Sequence, residues 1–140
     1  MIVCDTSALY AFFDTNDPHH QAVSATIGQD DGPFIISPYV LAELDYFIAE
    51  RRGISAELAA LDELSSGAWD LPAFGLTDVR RAQELLAGYQ DQKIGLADAS
   101  LVLIADRYRT NRVLTRDHRH FSVLRTISGG AFELLPADFA

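Results

Sequence analysis

Four carboxylates in this chain stand at positions typical of a metal site. Asp5 ends the apolar run that begins at Met1, and Asp117 follows the strand pattern 112–115 by two residues. Glu43 and Asp98 each lie early in a segment that predicts a mostly apolar helix. Packed together, such acids repel one another unless protons or cations neutralise them. Carboxylate oxygens favour hard cations such as Mg²⁺ or Mn²⁺, so the pattern indicates chemistry on phosphates.

The elements that must position these acids alternate between strands and helices. The sequence predicts strands at residues 2–5, 34–36, 68–71, 112–115 and 131–134. It predicts helices at residues 6–14, 17–28, 38–52, 55–67, 77–87 and 96–109. This alternation favours an α/β fold with a mainly parallel sheet covered on both faces. Ligands of such sheets bind beyond the carboxyl ends of the strands, which is where Asp5 and Asp117 fall.

The composition fits one domain over residues 1–140, because nearly half of the residues are apolar. No apolar run approaches the length of a membrane span, and the first residues do not resemble a leader, so we expect a cytoplasmic protein. The net charge of −9 argues against a passive nucleic-acid binder, but not against a nuclease whose acids hold cations. Cys4 is the only cysteine, which excludes an internal disulfide, and we expect it in the core.

Two of the acids have simpler explanations. Glu43 and Asp45 lie on opposite borders of one apolar helical stripe, so helical geometry does not choose between them. Asp98 falls in a first helical turn, where the helix dipole favours an acid without any metal.

The hydroxyl residues near these acids also allow two interpretations. Thr115 and Asp117 either point into one site or form a simple turn. Thr6 and Ser7 either support the site or cap the first helix, and capping by at least one of them is the favoured prediction.

The basic residues predict only a modest phosphate-guiding surface. Lys93 is the lone lysine, and five arginines cluster late in the chain, at positions 107, 109, 112, 116 and 119. Arg51 and Arg52 are expected on a solvated face. The four histidines lack the spacing of a zinc site and are expected at the surface, where residues 118–120 would be able to contact phosphates.

Taken in order, these segments resemble the PIN domain family. Four pieces carry the resemblance: Asp5-Thr6-Ser7-Ala8-Leu9, helical Glu43, Leu96-Ala97-Asp98-Ala99, and Leu114-Thr115-Arg116-Asp117 leading to Phe121. The resemblance runs from Ile2 to about Leu135. Short single-domain members of this kind are similar to the VapC toxins of bacterial toxin–antitoxin pairs.

The resemblance implies a three-layer α/β/α fold and an Mg²⁺- or Mn²⁺-dependent endoribonuclease. Its implied substrates are structured RNAs such as tRNA or rRNA, and cutting them would inhibit translation. It further implies a homodimer and an inhibitory VapB-type antitoxin with a DNA-binding part. The implied metal ligands and catalytic residues are Asp5, Glu43, Asp98 and Asp117, with Thr115, and less directly Thr6 or Ser7, as supporting hydroxyls. Asp45 and Asp91 are extra acids without an assigned role.

Other functions fit parts of the pattern. A phosphoacceptor signalling domain is also doubly wound, but it needs a lysine at a late strand end, and Lys93 precedes a helix. A phosphatase with a nucleophilic aspartate usually has an acid two residues further on, where this chain has Ser7. An inactive PIN scaffold that only binds partners is disfavoured because all four acids are present.

Overall fold

The structure, a computed structural model, describes residues 1–137, which contain five strands and seven helices. The strands are β1 (Ile2–Cys4), β2 (Phe34–Ile36), β3 (Trp69–Asp70), β4 (Arg112–Leu114) and β5 (Glu133–Leu135). The helices are α1 (Thr6–Phe13), α2 (His20–Gln29), α3 (Pro38–Arg52), α4 (Ile54–Leu64), α5 (Leu76–Ala87), α6 (Leu96–Tyr108) and α7 (His118–Val123). The predicted alternation of strands and helices is therefore confirmed.

All five strands run parallel, in the order β3-β2-β1-β4-β5. Ile2, Val3 and Cys4 are all fully buried. Successive side chains of a strand point to opposite faces, so helices must cover both faces of the sheet at β1. The predicted three-layer α/β/α fold with a parallel sheet is confirmed, and so is the place of Cys4 in the core.

The central strands fix the position of the candidate site. β1 and β4 are neighbours, with Cys4 paired to Leu114. The residues that follow them, Asp5 and Thr115, therefore emerge side by side at the carboxyl edge of the sheet. This is the edge at which parallel α/β sheets bind their ligands.

The helix α3 begins and ends at the predicted residues. The Ser37 side chain accepts a hydrogen bond from the backbone N–H of Tyr39, and Pro38 occupies the first helical position. Gly53 follows the helix with a φ of 86°, a backbone conformation that glycine adopts readily.

Three helix starts differ from the predictions. Asp5, rather than Thr6 or Ser7, caps α1 by accepting from the Thr6 N–H, so the capping prediction was wrong. The helix α5 starts at Leu76 rather than at residue 77, and the N–H of the preceding Gly75 donates to the Asp78 carboxylate. At α2, Asp17 accepts from the His19 N–H, and the helix itself starts at His20.

Two further differences lie in the last third of the chain. The last strand, β5, begins at Glu133 instead of at residue 131, because Ala131 forms an isolated antiparallel bridge with Arg125. The short helix α7, which follows Asp117, was not predicted. Among the helices within residues 1–137, none combines the length and the apolar character needed to cross a bilayer.

Candidate active site

All four predicted acids line one open cavity of about 450 Å³. Asp5 and Asp117 come from the loops after β1 and β4, Glu43 from α3, and Asp98 from the first turn of α6. The structure therefore brings together residues that are up to 112 positions apart in the sequence, counted from Asp5 to Asp117.

Asp5 is held rigidly at the base of this cavity. Its Oδ1 accepts from the Thr6 N–H at 2.8 Å, and its Oδ2 accepts from the hydroxyls of Thr115 at 2.9 Å and Ser7 at 3.1 Å. Only 7% of Asp5 is exposed. Both carboxylate oxygens thus keep a fixed direction, as a preorganised ligand needs.

Thr115 forms hydrogen bonds with two of the acid residues, Asp5 and Asp117. It is fully buried and does not line the cavity. While its hydroxyl donates to Asp5, the same oxygen accepts from the Asp117 N–H at 2.8 Å. This geometry makes Thr115 a positioning residue for Asp5 and Asp117. Ser7 has a similar part, because its hydroxyl also accepts from the Arg116 N–H at 3.0 Å.

The cavity concentrates negative charge. Burial, followed by the charge of Asp98, raises the pKa of Asp5 to about 6, although the hydrogen bonds from its neighbours oppose this shift. Burial also raises the pKa of Asp98, and the charges of Asp117 and Glu43 add to that increase. A hydrogen bond from the Gly95 backbone and the charge of His120 act in the opposite direction.

Asp117 is oriented by the unpredicted helix α7. Its Oδ1 accepts from the His120 N–H at 3.0 Å, which caps the helix. Its Oδ2 lies 2.6 Å from His120 Nδ1. His120 itself lines the cavity, so one of the histidines expected near the surface lies beside Asp117. The i, i+3 spacing from Asp117 was the signal, but it has meaning only once α7 is known.

The α3 wall of the cavity contains residues that the sequence did not identify. Phe47 and Arg51 of α3 line it together with Tyr10 of α1. The Arg51 Cζ atom lies 4.8 Å from the Phe47 ring centroid and 5.2 Å from that of Tyr10. Phe47 and Arg51 follow Glu43 at intervals of four residues, a spacing that places all three on one face of α3.

The extra acids lie elsewhere. Asp45 faces a small cleft between α3 and α4, which Glu57 also lines. Asp91 is exposed in the loop before α6 and does not line the cavity. Of the two acids that helical geometry left open on α3, the structure therefore places Glu43 at the site.

The predicted arginine rim is mostly wrong. Arg107 pairs with Asp78 at 3.0 Å and Arg112 pairs with Asp30 at 2.7 Å, both away from the carboxylate cavity. Arg109 follows α6, near the amino end of β4 and therefore at the opposite edge of the sheet. Arg119 is exposed on α7 and does not line the cavity. Arg116 does line the cavity, and it pairs with Asp17 at 3.1 Å.

The donor set of the cavity fits a hard divalent cation. Carboxylate oxygens are the ligands that Mg²⁺ and Mn²⁺ prefer, and the mutual repulsion of these acids would be relieved by a cation. Thr6, a residue that is only 5% exposed, also lines the cavity. Its hydroxyl has no hydrogen-bond partner within residues 1–137. In the described part of the chain, however, no three acidic, histidine or cysteine side chains already stand close enough to enclose a metal. Binding one therefore requires side-chain adjustment, for which the exposed Glu43 has the freedom.

Both a protein family and an individual protein match this sequence over most of its length. The sequence matches the PIN domain family over residues 2–125. It is 51% identical over 135 residues to ribonuclease VapC26 of Mycobacterium tuberculosis (strain ATCC 25618 / H37Rv), covering 96% of this chain and 100% of that protein.

Two solved structures share the fold at low sequence identity. The first is VapC20 of Mycobacterium tuberculosis, described as a sarcin-ricin loop cleaving toxin, with a TM-score of 0.75 and 19% identity over 81% of this chain and 87% of that one. The second is a toxin–antitoxin complex from Klebsiella pneumoniae, with a TM-score of 0.68 and 18% identity over 89% of this chain and 92% of that one.

Proposed function

This chain belongs to the PIN domain family, and on that premise we propose that it is a VapC-type endoribonuclease that depends on Mg²⁺, with Mn²⁺ as a substitute. The proposed metal ligands are Asp5, Glu43, Asp98 and Asp117. One observation carries the proposal: these four acids, drawn from distant segments, line a single cavity at the carboxyl edge of the sheet.

The roles of the residues follow from their contacts. A bound divalent ion would supply Lewis acidity, lowering the pKa of a water molecule and offsetting charge on the phosphoryl oxygens. Asp5 presents a carboxylate whose direction is fixed by three donors. Thr115 keeps Asp5 and Asp117 at a constant separation, and His120 orients Asp117 from the solvent side.

We propose that the substrate is a structured RNA, such as tRNA or rRNA, and that cutting it inhibits translation. VapC26, the 51% identical relative, is named a ribonuclease, and VapC20 is described as cleaving the sarcin-ricin loop. An RNA hairpin with the sarcin-ricin loop sequence is therefore the first substrate to test, beside total tRNA.

The same family supports a proposal about partners. We propose a cytoplasmic homodimer that is inhibited by a VapB-type antitoxin. One neighbour in fold comes from a toxin–antitoxin complex. Exposed apolar side chains are available for such contacts, including Ile54, Leu58 and Leu61 on α4 and Leu76, which is 91% exposed. Light scattering of the purified chain, alone and with its antitoxin, measures both assemblies.

Membership of the PIN family argues against a phosphoacceptor signalling domain. An inactive PIN scaffold remains the main competitor, and the complete set of four acids argues against it. The two functions differ in one observable property, since only the enzyme cuts RNA in a metal-dependent way.

Cleavage followed by analysis of the RNA ends tests the proposed function. The purified protein is incubated with the hairpin in Mg²⁺, in Mn²⁺, and in EDTA with and without added Mg²⁺. We expect cleavage only with metal, leaving a 3′-hydroxyl and a 5′-phosphate, because an activated water attacks phosphorus. A cyclic phosphate, or cleavage that persists in EDTA, would contradict the mechanism.

A further inference from the structure

Helix α3 contributes an arginine, Arg51, to the wall of the cavity, and metal binding by the four acids gives this arginine no role. Two arginines line the cavity, Arg51 and Arg116. Arg116 is paired with Asp17 at 3.1 Å. Within residues 1–137, no acid pairs with Arg51, although its neighbour Arg52 pairs with Asp14 at 3.3 Å.

The position of Arg51 is nevertheless defined. Its guanidinium group lies over the rings of Phe47 and Tyr10, at 4.8 and 5.2 Å from their centroids. Such cation–π contacts hold the group in place while its N–H donors stay available, because the interaction uses the face of the cation rather than its hydrogen bonds. The two rings thus hold the N–H donors of Arg51 in one orientation beside the acids of the cavity.

The charge of the protein makes this arrangement unusual. The chain has a net charge of −9, and five of its ten arginines pair with acids of the fold within residues 1–137. A protein that binds RNA needs cations facing the phosphates, and arginine binds phosphate in a bidentate manner. Of the two arginines that line the cavity, Arg51 is the one that pairs with no acid within residues 1–137, so it is the residue best placed for this contact.

The distance along α3 identifies which phosphate Arg51 would contact. Glu43 and Arg51 are eight residues apart on one helix face, which separates their Cα atoms by about 12 Å at 1.5 Å per residue. Arg51 therefore lies about two helical turns to one side of Glu43, and its guanidinium group lies over Phe47 rather than among the acids. A phosphate that neighbours the one beside Glu43 on the same strand is within its reach.

We infer that Arg51, held by Tyr10 and Phe47, binds an RNA phosphate next to the scissile one and thereby sets the path of the strand across the cavity. The inference rests on the proposed ribonuclease function. It assigns a substrate-binding residue outside the set of acids, and it predicts that Arg51 contributes to binding rather than to the chemical step.

The first experiment measures RNA binding at several salt concentrations. All proteins carry Asp98→Asn so that a fluorescein-labelled RNA hairpin with the sarcin-ricin loop sequence stays intact, and Mg²⁺ is held constant. Arg51→Gln should weaken binding about tenfold, as expected for loss of a charge-assisted hydrogen bond. It should also reduce the slope of log affinity against log salt by about 0.7, the value for one phosphate contact on a single strand.

Arg52→Gln is the matched control, because it removes the same charge from the same helical turn outside the cavity. It should change affinity less than about twofold and leave the slope unaltered. An unchanged slope in Arg51→Gln, or an equal loss in Arg52→Gln, would overturn the inference. Failure of the proposed function is read separately, since it would show as no metal-dependent cutting of the RNA by the protein with all four acids.

The aromatic rings provide a second, independent test. Arg51→Lys keeps the charge but not the planar group, so it should retain the salt slope while losing part of the affinity. Tyr10→Leu should weaken binding in the presence of Arg51 and have no further effect in Arg51→Gln, because the ring acts through the arginine. Additive losses would show that Tyr10 does not act through Arg51.

Kinetics distinguish a binding residue from a catalytic one. In the protein with all four acids, Arg51→Gln should raise KM for RNA about tenfold and leave kcat within about twofold, since the contact is equally present in the ground and transition states. A loss confined to kcat would place Arg51 in the chemical step and contradict the inference. Thermal unfolding of each variant confirms that the exposed substitution leaves the fold intact.

Discussion

The acids of this protein fall into two groups that differ in their partners. Asp30 and Asp78, at the periphery, pair with Arg112 and Arg107, and the backbone hydrogen bonds and arginines around them lower their pKa. In the cavity, the buried Asp5 and the half-buried Asp98 lie beside other acids, and their pKa is raised.

The opposite pKa shifts distinguish acids whose charge stabilises the folded state from acids whose charge destabilises it. A carboxylate with a lowered pKa favours the folded state at neutral pH, whereas one with a raised pKa opposes it. A cluster of the second kind is typical of functional sites, where the repulsion is relieved by a bound cation. The experiments below on cleavage, stability and Mn²⁺ binding apply the same Asp→Asn substitution to a member of each group.

The largest expected effect is on RNA cleavage. Asp98→Asn should reduce the cleavage rate about 100-fold or more, because even residues that only hydrogen-bond to the ligands of a metal contribute about 10- to 100-fold. Asp30→Asn, the same change in a peripheral acid, should stay within about twofold. Rates are measured on the hairpin under single-turnover conditions. Equal rates for the two variants would show that the cavity acids are not the active site.

A smaller loss is expected when the support beneath the acids is removed. Thr115→Val deletes the hydroxyl that donates to Asp5 and accepts from the Asp117 N–H, so we expect a 10- to 100-fold loss of cleavage. Thr115→Ser keeps the hydroxyl and should recover most of the rate. If valine and serine behave alike, the hydroxyl does not position the acids.

The smallest expected effect concerns stability without metal. The pKa of Asp5 is raised from 3.8 to about 6, so the folded state binds this proton more tightly than the unfolded chain does. The favourable contribution of Asp5 is therefore fully present below about pH 4 and is lost as the pH rises through about 6. At neutral pH in EDTA, Asp5→Asn should raise the free energy of unfolding by about 1–3 kcal/mol.

The pH dependence of this difference provides its control. Urea unfolding of wild type and Asp5→Asn should give converging stabilities as the pH falls from 7 towards 4, because the wild-type carboxyl then becomes neutral. Asp98 is the acid whose charge contributes to the shift, and Asn at position 5 still accepts from the Thr6 N–H. Asp30→Asn should destabilise the protein at neutral pH instead. Because the Asn amide nitrogen cannot accept the hydrogen bonds that Thr115 and Ser7 donate to Oδ2, the change with pH is the decisive result. A stability difference between the two proteins that stays constant from pH 7 to pH 4 would contradict the proposed repulsion.

The fold was largely predictable because the relevant signals are local. Ser37-Pro38 and Gly53 mark both ends of α3 through their own backbone preferences. The helix α7 was missed because six residues with little apolar periodicity give no such signal; its start depends on the Asp117 carboxylate accepting from the His120 N–H.

The site was predictable only in part. The four acids were identified from their places at element ends, and the structure brings them to one cavity. The choice between Glu43 and Asp45 needed tertiary contacts, because it depends on which border of α3 faces the sheet edge and which faces α4. Arg51 was missed for the same reason, since its aromatic contacts include Tyr10 of a different helix.

The central claim is that the acids of the cavity bind a divalent cation together. Calorimetric titration of Mn²⁺ into wild type, Asp5→Asn, Asp98→Asn and the peripheral control Asp30→Asn tests it without reference to activity. We expect the wild type and Asp30→Asn to bind alike and both cavity variants to bind at least about tenfold more weakly. Equal Mn²⁺ affinity in all four proteins would contradict the assignment of the cavity as a metal site.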